Sequence, residues 1–115
     1  MELKQKVFVT RKEPVTTTYI PDFNSHLPVI WEREVLKKTP KGYRLSSTYS
    51  PDKGEFHSDA YYRFFDNYAA AVEFVADEAN RIASALDSMK KQAENLEIEA
   101  CRALFENKQG AAAWN

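Results

Sequence analysis

The stretch YAAAVEFVADEANRIASALDSM, residues 68–89, holds neither glycine nor proline, and the run free of both continues to Gln109, just before Gly110. A chain of 115 residues thus commits more than a third of its length to one helical grammar. Alternating steps of four and three from Tyr68 give Val72, Val75, Ala79, Ile82, Leu86, Met89, Ala93, Leu96, Ala100 and Ala103, all apolar or small. That is the period of a coiled-coil seam. Ala69, Ala71, Ala76, Ala83 and Ala85 flank it with small side chains that let two helix backbones approach closely. Glu73, Asp77, Asn80, Asp87, Lys91 and Glu94 form the opposite, solvated face.

A helix of that length spans roughly 60 Å, whereas strands typically reach only ~20 Å. A sheet built from the rest of the chain covers the first four or five turns, where Phe74 widens the apolar face. Beyond Met89 the seam meets water unless another surface is supplied, and Leu96, Ala100, Cys101 and Leu104 need one. The chain can reverse near KKQAEN, residues 90–95, to form a helical hairpin, or it can stay straight and pair with a second copy or with a heterologous helix. The absence of Gly and Pro at 90–95 favours a homodimer joined through Val72, Val75, Ala79, Ile82, Leu86, Met89, Ala93 and Leu96, by parallel or antiparallel pairing.

The half before this helix follows a different grammar. All five prolines lie in the first 51 residues and twelve of fifteen aromatics in the first 68. KVFVTR and VTTTYI read as two short strands, or as one interrupted at Pro14, and DFNSHLP as a loop. VIWEREVLKK and YRLSSTY flank TPKG, a hairpin signal in which Pro40 presets the first corner and Gly42 supplies a left-handed conformation. In the return strand Tyr43, Leu45 and Tyr49 share a face. SPDKG makes the next turn and AYYRFF a last strand, with Tyr62 and Phe64 on one side and Tyr61, Arg63 and Phe65 on the other. Asp66, or Asn67 in its place, caps the helix. The expected fold is therefore α+β: an N-terminal antiparallel β-meander or small, partly open barrel of four or five strands at residues 1–65, one long helix at 66–109, and a tail at 110–115.

A hydrophobic fraction of 43% suffices for a packed core and argues against disorder. The net charge of −1 gives no global case for nucleic acid, although residues 1–64 carry a surplus of three positive charges and residues 65–115 a surplus of four negative ones. The single cysteine, Cys101, makes an internal disulfide impossible and fits a reducing, cytoplasmic compartment. The N-terminus has no signal-peptide core, and no run of ~18 apolar residues suggests a membrane span.

Chemistry is sparse. His57 and Asp59 in HSD lie two apart, on one face of an extended strand, but no second cluster of His, Cys or acids completes a metal site, and His26 stands alone. Sequence neighbours do not form a nucleophilic triad. Cys101 lies in the apolar stripe as a small hydrophobe. Glycine-rich phosphate loops and HExxH are absent, so the expectation is a protein without catalytic residues, metal or cofactor. The one enriched constellation is basic and aromatic: Trp31, Arg33, Lys37, Lys38, Lys41, Tyr43 and Arg44, with Tyr49, Phe56, Tyr61, Tyr62 and Arg63 nearby. Such residues grip phosphates and stack on bases, or they form the sheet's own core and blunt its edge.

The order of strands, the TPKGYRL hairpin, the junction YYRFFDNYAAAVEFV and the long helix resembles the plan of small bacteriophage-encoded proteins with a minimal barrel-like sheet followed by a helix. The resemblance implies a compact binding or inhibitor protein that acts on a host macromolecule, and it transfers no functional residue. The combined expectation is a non-enzymatic, self-associating protein whose helix fixes assembly and whose hairpin, from Trp31 to Tyr49, meets a protein target. The alternative is capture of a nucleotide or single-stranded nucleic acid by the basic–aromatic sheet.

Overall fold

The computed structural model describes residues 5–24 and 28–107, and the helical backbone on to Trp114. His26 and the middle of the DFNSHLP loop lie outside the described residues. Five strands, β1 (Lys6–Arg11), β2 (Trp31–Thr39), β3 (Gly42–Leu45), β4 (Glu55–Ser58) and β5 (Tyr62–Phe65), precede a single helix, α1 (Tyr68–Trp114). The chain forms two compact units, Met1–Ile82 and Ala83–Asn115.

In the first unit all neighbouring strands are antiparallel, in the order β4-β3-β2-β1-β5. β1 to β4 form a meander, and β5 returns to the free edge of β1. The strands at opposite edges, β4 and β5, are joined by residues 59–61 alone. Such a link reaches at most about 14 Å, whereas the edges of a flat five-stranded sheet lie about 19 Å apart. The sheet must therefore curl, and β2 shows how. Its residues 31–34 pair with β1 and its residues 35–39 with β3, with an irregularity between Val35 and Lys37 that bends the strand. The result is a partly open barrel. Across its seam the rings of His57 (β4) and Tyr62 (β5) meet edge to face at 4.8 Å, without a ladder between the two strands.

Alternation sorts the side chains. Val7 and Val9 of β1 and Leu45 of β3 point inward and are at most 1% exposed, with Trp31, Val35, Tyr43, Tyr62 and Phe64 packed against them. Tyr43 and Phe64 touch at 4.5 Å. Phe8 and Phe65, paired across β1 and β5, lie on the outer face. The first turns of α1 cover that face: Phe8 meets Tyr68 at 5.8 Å and Phe65 meets Phe74 at 5.3 Å. Ala71 is fully buried and Ile82 nearly so. A short aromatic sheet thus acquires two apolar layers from strands only four to nine residues long.

Several local expectations change. VTTTYI is not a strand: only an isolated bridge joins Thr16 and Tyr19, because Thr16 Oγ1 accepts the Thr18 N–H and closes a turn. YRLSSTY is extended only to Leu45. Beyond it, Ser46 Oγ donates to the Pro51 carbonyl and Ser47 Oγ accepts the Ser50 N–H, so side chains replace the ladder. Tyr49 is consequently 93% exposed and does not share the buried face of Tyr43 and Leu45. EFHS forms β4, a strand not delimited by the sequence pattern. Gly42 has a positive φ, +151, in a range that residues with a side chain rarely adopt. Gly54, at φ +67, also does, and closes the 50–54 turn through its N–H to the Ser50 carbonyl. A Cβ at Gly42 would lie 2.1 Å from the His57 carbonyl oxygen, so close strand approach requires glycine.

The helix is capped by Asn67, whose Oδ1 accepts the Ala70 N–H at 2.8 Å, and not by Asp66. Residues 90–95 are helical, so no helical hairpin forms. The helix also passes Gly110 and reaches Trp114, where a tail was expected. Ala111, Ala112 and Ala113 follow the glycine and offset its cost of about 1 kcal/mol.

Candidate functional site

Two features of the molecule are candidate binding surfaces. One is the apolar stripe of α1 in the second unit. The other is a cleft at the mouth of the barrel in the first.

In the second unit every described residue from 87 to 107 is exposed. These include Met89 (52%), Leu96 (70%), Leu104 (55%) and Phe105 (59%). Ala93 and Ala100 lie between the larger side chains on the same stripe. The charged residues pair along the helix instead: Lys91 with Asp87 at 3.1 Å, Lys90 with Glu94 at 3.8 Å, and Arg102 with Glu99 at 3.1 Å. Exposed pairs of this kind add little stability. Cys101 is a free, exposed thiol. Of the seam residues in the first unit, Ile82 is buried, Val72 and Val75 are half-buried, and Ala79 is exposed. Val72, Val75 and Ala79 line an apolar groove of about 390 Å³ with Pro14, Val15, Ile20 and Phe23. Leu86, the first large seam residue of the second unit, is half-buried. The predicted seam is therefore divided: its first part contributes to the fold of the barrel unit, and its last part is bare.

The basic–aromatic constellation is also divided. Trp31 and Tyr43 turn inward onto the core. Lys37, Lys38, Lys41 and Arg44 are exposed. The Lys38 ammonium lies 5.7 Å from the centre of the Tyr43 ring. Arg44 Nη1 donates to the Lys53 and Gly54 carbonyls, which ties β3 to the following turn. Phe56 sits opposite Arg44 on the outer face, 45% exposed. Tyr61 stands in the link between β4 and β5, and Arg63 Nη1 donates to the Asp59 carbonyl at 2.8 Å. His57 and Asp59 do not act together: His57 lies on the inner face of β4, while Asp59 sits in the link and anchors it by donating its N–H to the Lys41 carbonyl. Among the described residues no three His, Cys, Asp or Glu side chains gather as a metal site.

What the curl does assemble is a cleft of about 310 Å³ lined by Val9, Arg11, Trp31, Arg33, Ser47, Thr48, Tyr49, Glu55, His57 and Tyr62. Its walls follow from register. Arg11 sits opposite Tyr62, Val9 opposite Trp31 and Phe64, and Val7 opposite Arg33. His57 Nδ1 lies 3.1 Å from the Glu55 carbonyl, which orients the ring toward Tyr62. Trp31, Arg33, Tyr49 and Tyr62 belong to the constellation recognised in the sequence. Arg11, Glu55 and His57 do not. The signal that marks Arg11 is its place in the alternation of KVFVTR, on the same side as Val7 and Val9, at the end where the barrel opens.

No helix among the described residues is long and apolar enough to cross a membrane. The chain matches no family model, and comparisons with curated proteins and with solved structures return no significant match.

Proposed function

We propose that the protein is a self-associating, non-enzymatic binding protein in which the C-terminal part of α1 pairs with a second copy of itself. The observation that carries this reading is the exposure of every described residue from 87 to 107, with Met89, Leu96, Leu104 and Phe105 among them. An isolated helix is marginal in water and draws most of its stability from packing of an apolar face. The α1 stripe has that face, and alanines at 93 and 100 permit close approach of an identical helix. The paired charges of residues 87–102 flank the stripe and suit the solvated side of a two-helix seam. A protein target on a host macromolecule rests on the resemblance of plan to small phage-encoded proteins.

Sedimentation equilibrium over a concentration series tests the assembly. A mass of twice 13.2 kDa at micromolar concentration is expected. A species of 13.2 kDa that persists to about 100 μM would overturn the proposal.

A further inference from the structure

The mouth of the barrel presents a second, independent binding site, and we propose that it takes a nucleoside-monophosphate group: a planar ring carrying an anionic phosphate. The inference stands whether the chain is monomeric or dimeric, because all the residues involved lie in the first unit.

Two guanidinium groups supply the charge. Arg11 and Arg33 both line the cleft, and neither takes part in the ion pairs among the described residues. Among the described residues the Arg33 guanidinium makes one hydrogen bond, from Nη1 to the adjacent Glu32 carbonyl at 2.9 Å, which leaves the rest of its donor fork free. Guanidinium groups match phosphate oxygens in a two-pronged geometry that lysine lacks. Glu55 also lines the cleft, so the local balance is two positive charges against one negative, still favourable to an anion. Trp31 and Tyr62 provide the ring surfaces. They stand on either side of β1, held by the register Val9–Trp31 and Arg11–Tyr62, and His57 braces Tyr62 from β4. Their inner edges pack on the core, which fixes the rings before any ligand arrives. A base stacks on such surfaces with little regard to its identity. The floor is Val9, 1% exposed, and the volume of about 310 Å³ falls at the lower end of the ~300–1,000 Å³ typical of small-ligand pockets. A ring without an anion leaves both arginines unused, and an anion without a ring leaves the aromatic walls wet.

The phosphate and base can come from a free mononucleotide or from one nucleotide of a single strand. The chain has two tryptophans, Trp31 and Trp114. In full-length protein carrying Trp114→Phe, fluorescence therefore reports on the cleft alone. Titration uses AMP, adenosine, inorganic phosphate and an oligothymidylate. Saturable quenching by AMP is expected, with adenosine and phosphate each weaker by about tenfold or more. Saturation by the oligothymidylate without AMP supports the site and assigns the single strand as the source. Arg11 is exposed, so Arg11→Ala leaves thermal unfolding unchanged and weakens binding about tenfold. Glu55→Gln tightens it, and Lys37→Ala, exposed and outside the cleft, has no effect. The proposal is overturned if neither AMP nor the oligonucleotide saturates up to roughly 5 mM, if phosphate alone binds as well as AMP, or if Lys37→Ala weakens binding as much as Arg11→Ala.

Discussion

Leu96 is the sharpest place to interrogate the helix seam. It leaves 70% of its surface to water in the single chain. Complete burial of a leucine side chain is worth about 1.5–3 kcal/mol, so covering the exposed part contributes roughly 1–2 kcal/mol per helix. A symmetric pair contains the residue twice. Leu96→Ala should therefore weaken the proposed dimer by about 2–4 kcal/mol, or ~30-fold to ~1,000-fold in Kd. The same change should leave folding of the separate chain almost untouched. The side chain supports no core, alanine is the better helix former, and surface substitutions fall within about 0.5 kcal/mol. Sedimentation equilibrium gives the dimer Kd, and circular dichroism in dilute solution gives the helix content and melting of the monomer. A Kd within about threefold of the unsubstituted protein would show that Leu96 lies outside the contact. Loss of helix by the variant at a concentration where both proteins are monomeric would equally rule out a role for Leu96 in the contact alone.

Gly42→Ala should destabilise the barrel by more than about 2 kcal/mol, seen as a lower urea midpoint at constant slope, because its Cβ would strike the His57 carbonyl at 2.1 Å. Asn67→Ala should cost about 1 kcal/mol in chemical denaturation and Asn67→Asp far less, since the aspartate still accepts the Ala70 N–H; equal losses would remove Asn67 as the cap. Cys101, exposed in the single chain, should react rapidly with a thiol reagent in dilute solution and more slowly as concentration rises, and a rate independent of concentration would count against pairing near that turn.

The long helix, the hairpin at residues 39–42 and the strands β1, β2 and β5 were legible because each rests on a local rule: helical period, turn chemistry or β-branched composition. VTTTYI misleads for a physical reason. Its threonines favour a strand, but the Thr16 hydroxyl offers a competing turn. Ser46 and Ser47 cut β3 short in the same way. β4, EFHS, holds one aromatic and no β-branched residue, so its composition does not mark a strand as the three aromatics of β5 do. The basic–aromatic composition was visible, but its division between inner and outer faces was not. That division depends on the bend of β2 near Leu36, which lets one strand serve two neighbours. Arg11 joined the cleft through β5 returning to β1, a pairing that no local pattern encodes. Asn67 was one of two adjacent candidates for the cap, and only backbone geometry separates it from Asp66.

The link from β4 to β5 also sets the order in which a growing chain can finish its barrel. β2, β3 and β4 are neighbours in sequence and can pair as they leave the ribosome. β1 is made first, yet its second edge waits for β5, with Phe8 meeting Phe65 only when nearly the whole barrel has been synthesised. Until then KVFVTR presents an unpaired, β-branched edge, the kind of template on which other chains add strands. The residues that complete the barrel then lie close together in the chain. Tyr62–Phe65 docks on β1 and, two residues later, Asn67 starts the helix that covers Phe8 and Phe65. The pairing order thus leaves one edge of β1 open until β5 is made, and the last strand and the cover of the outer face follow one another within the short stretch from Tyr62 to Phe74.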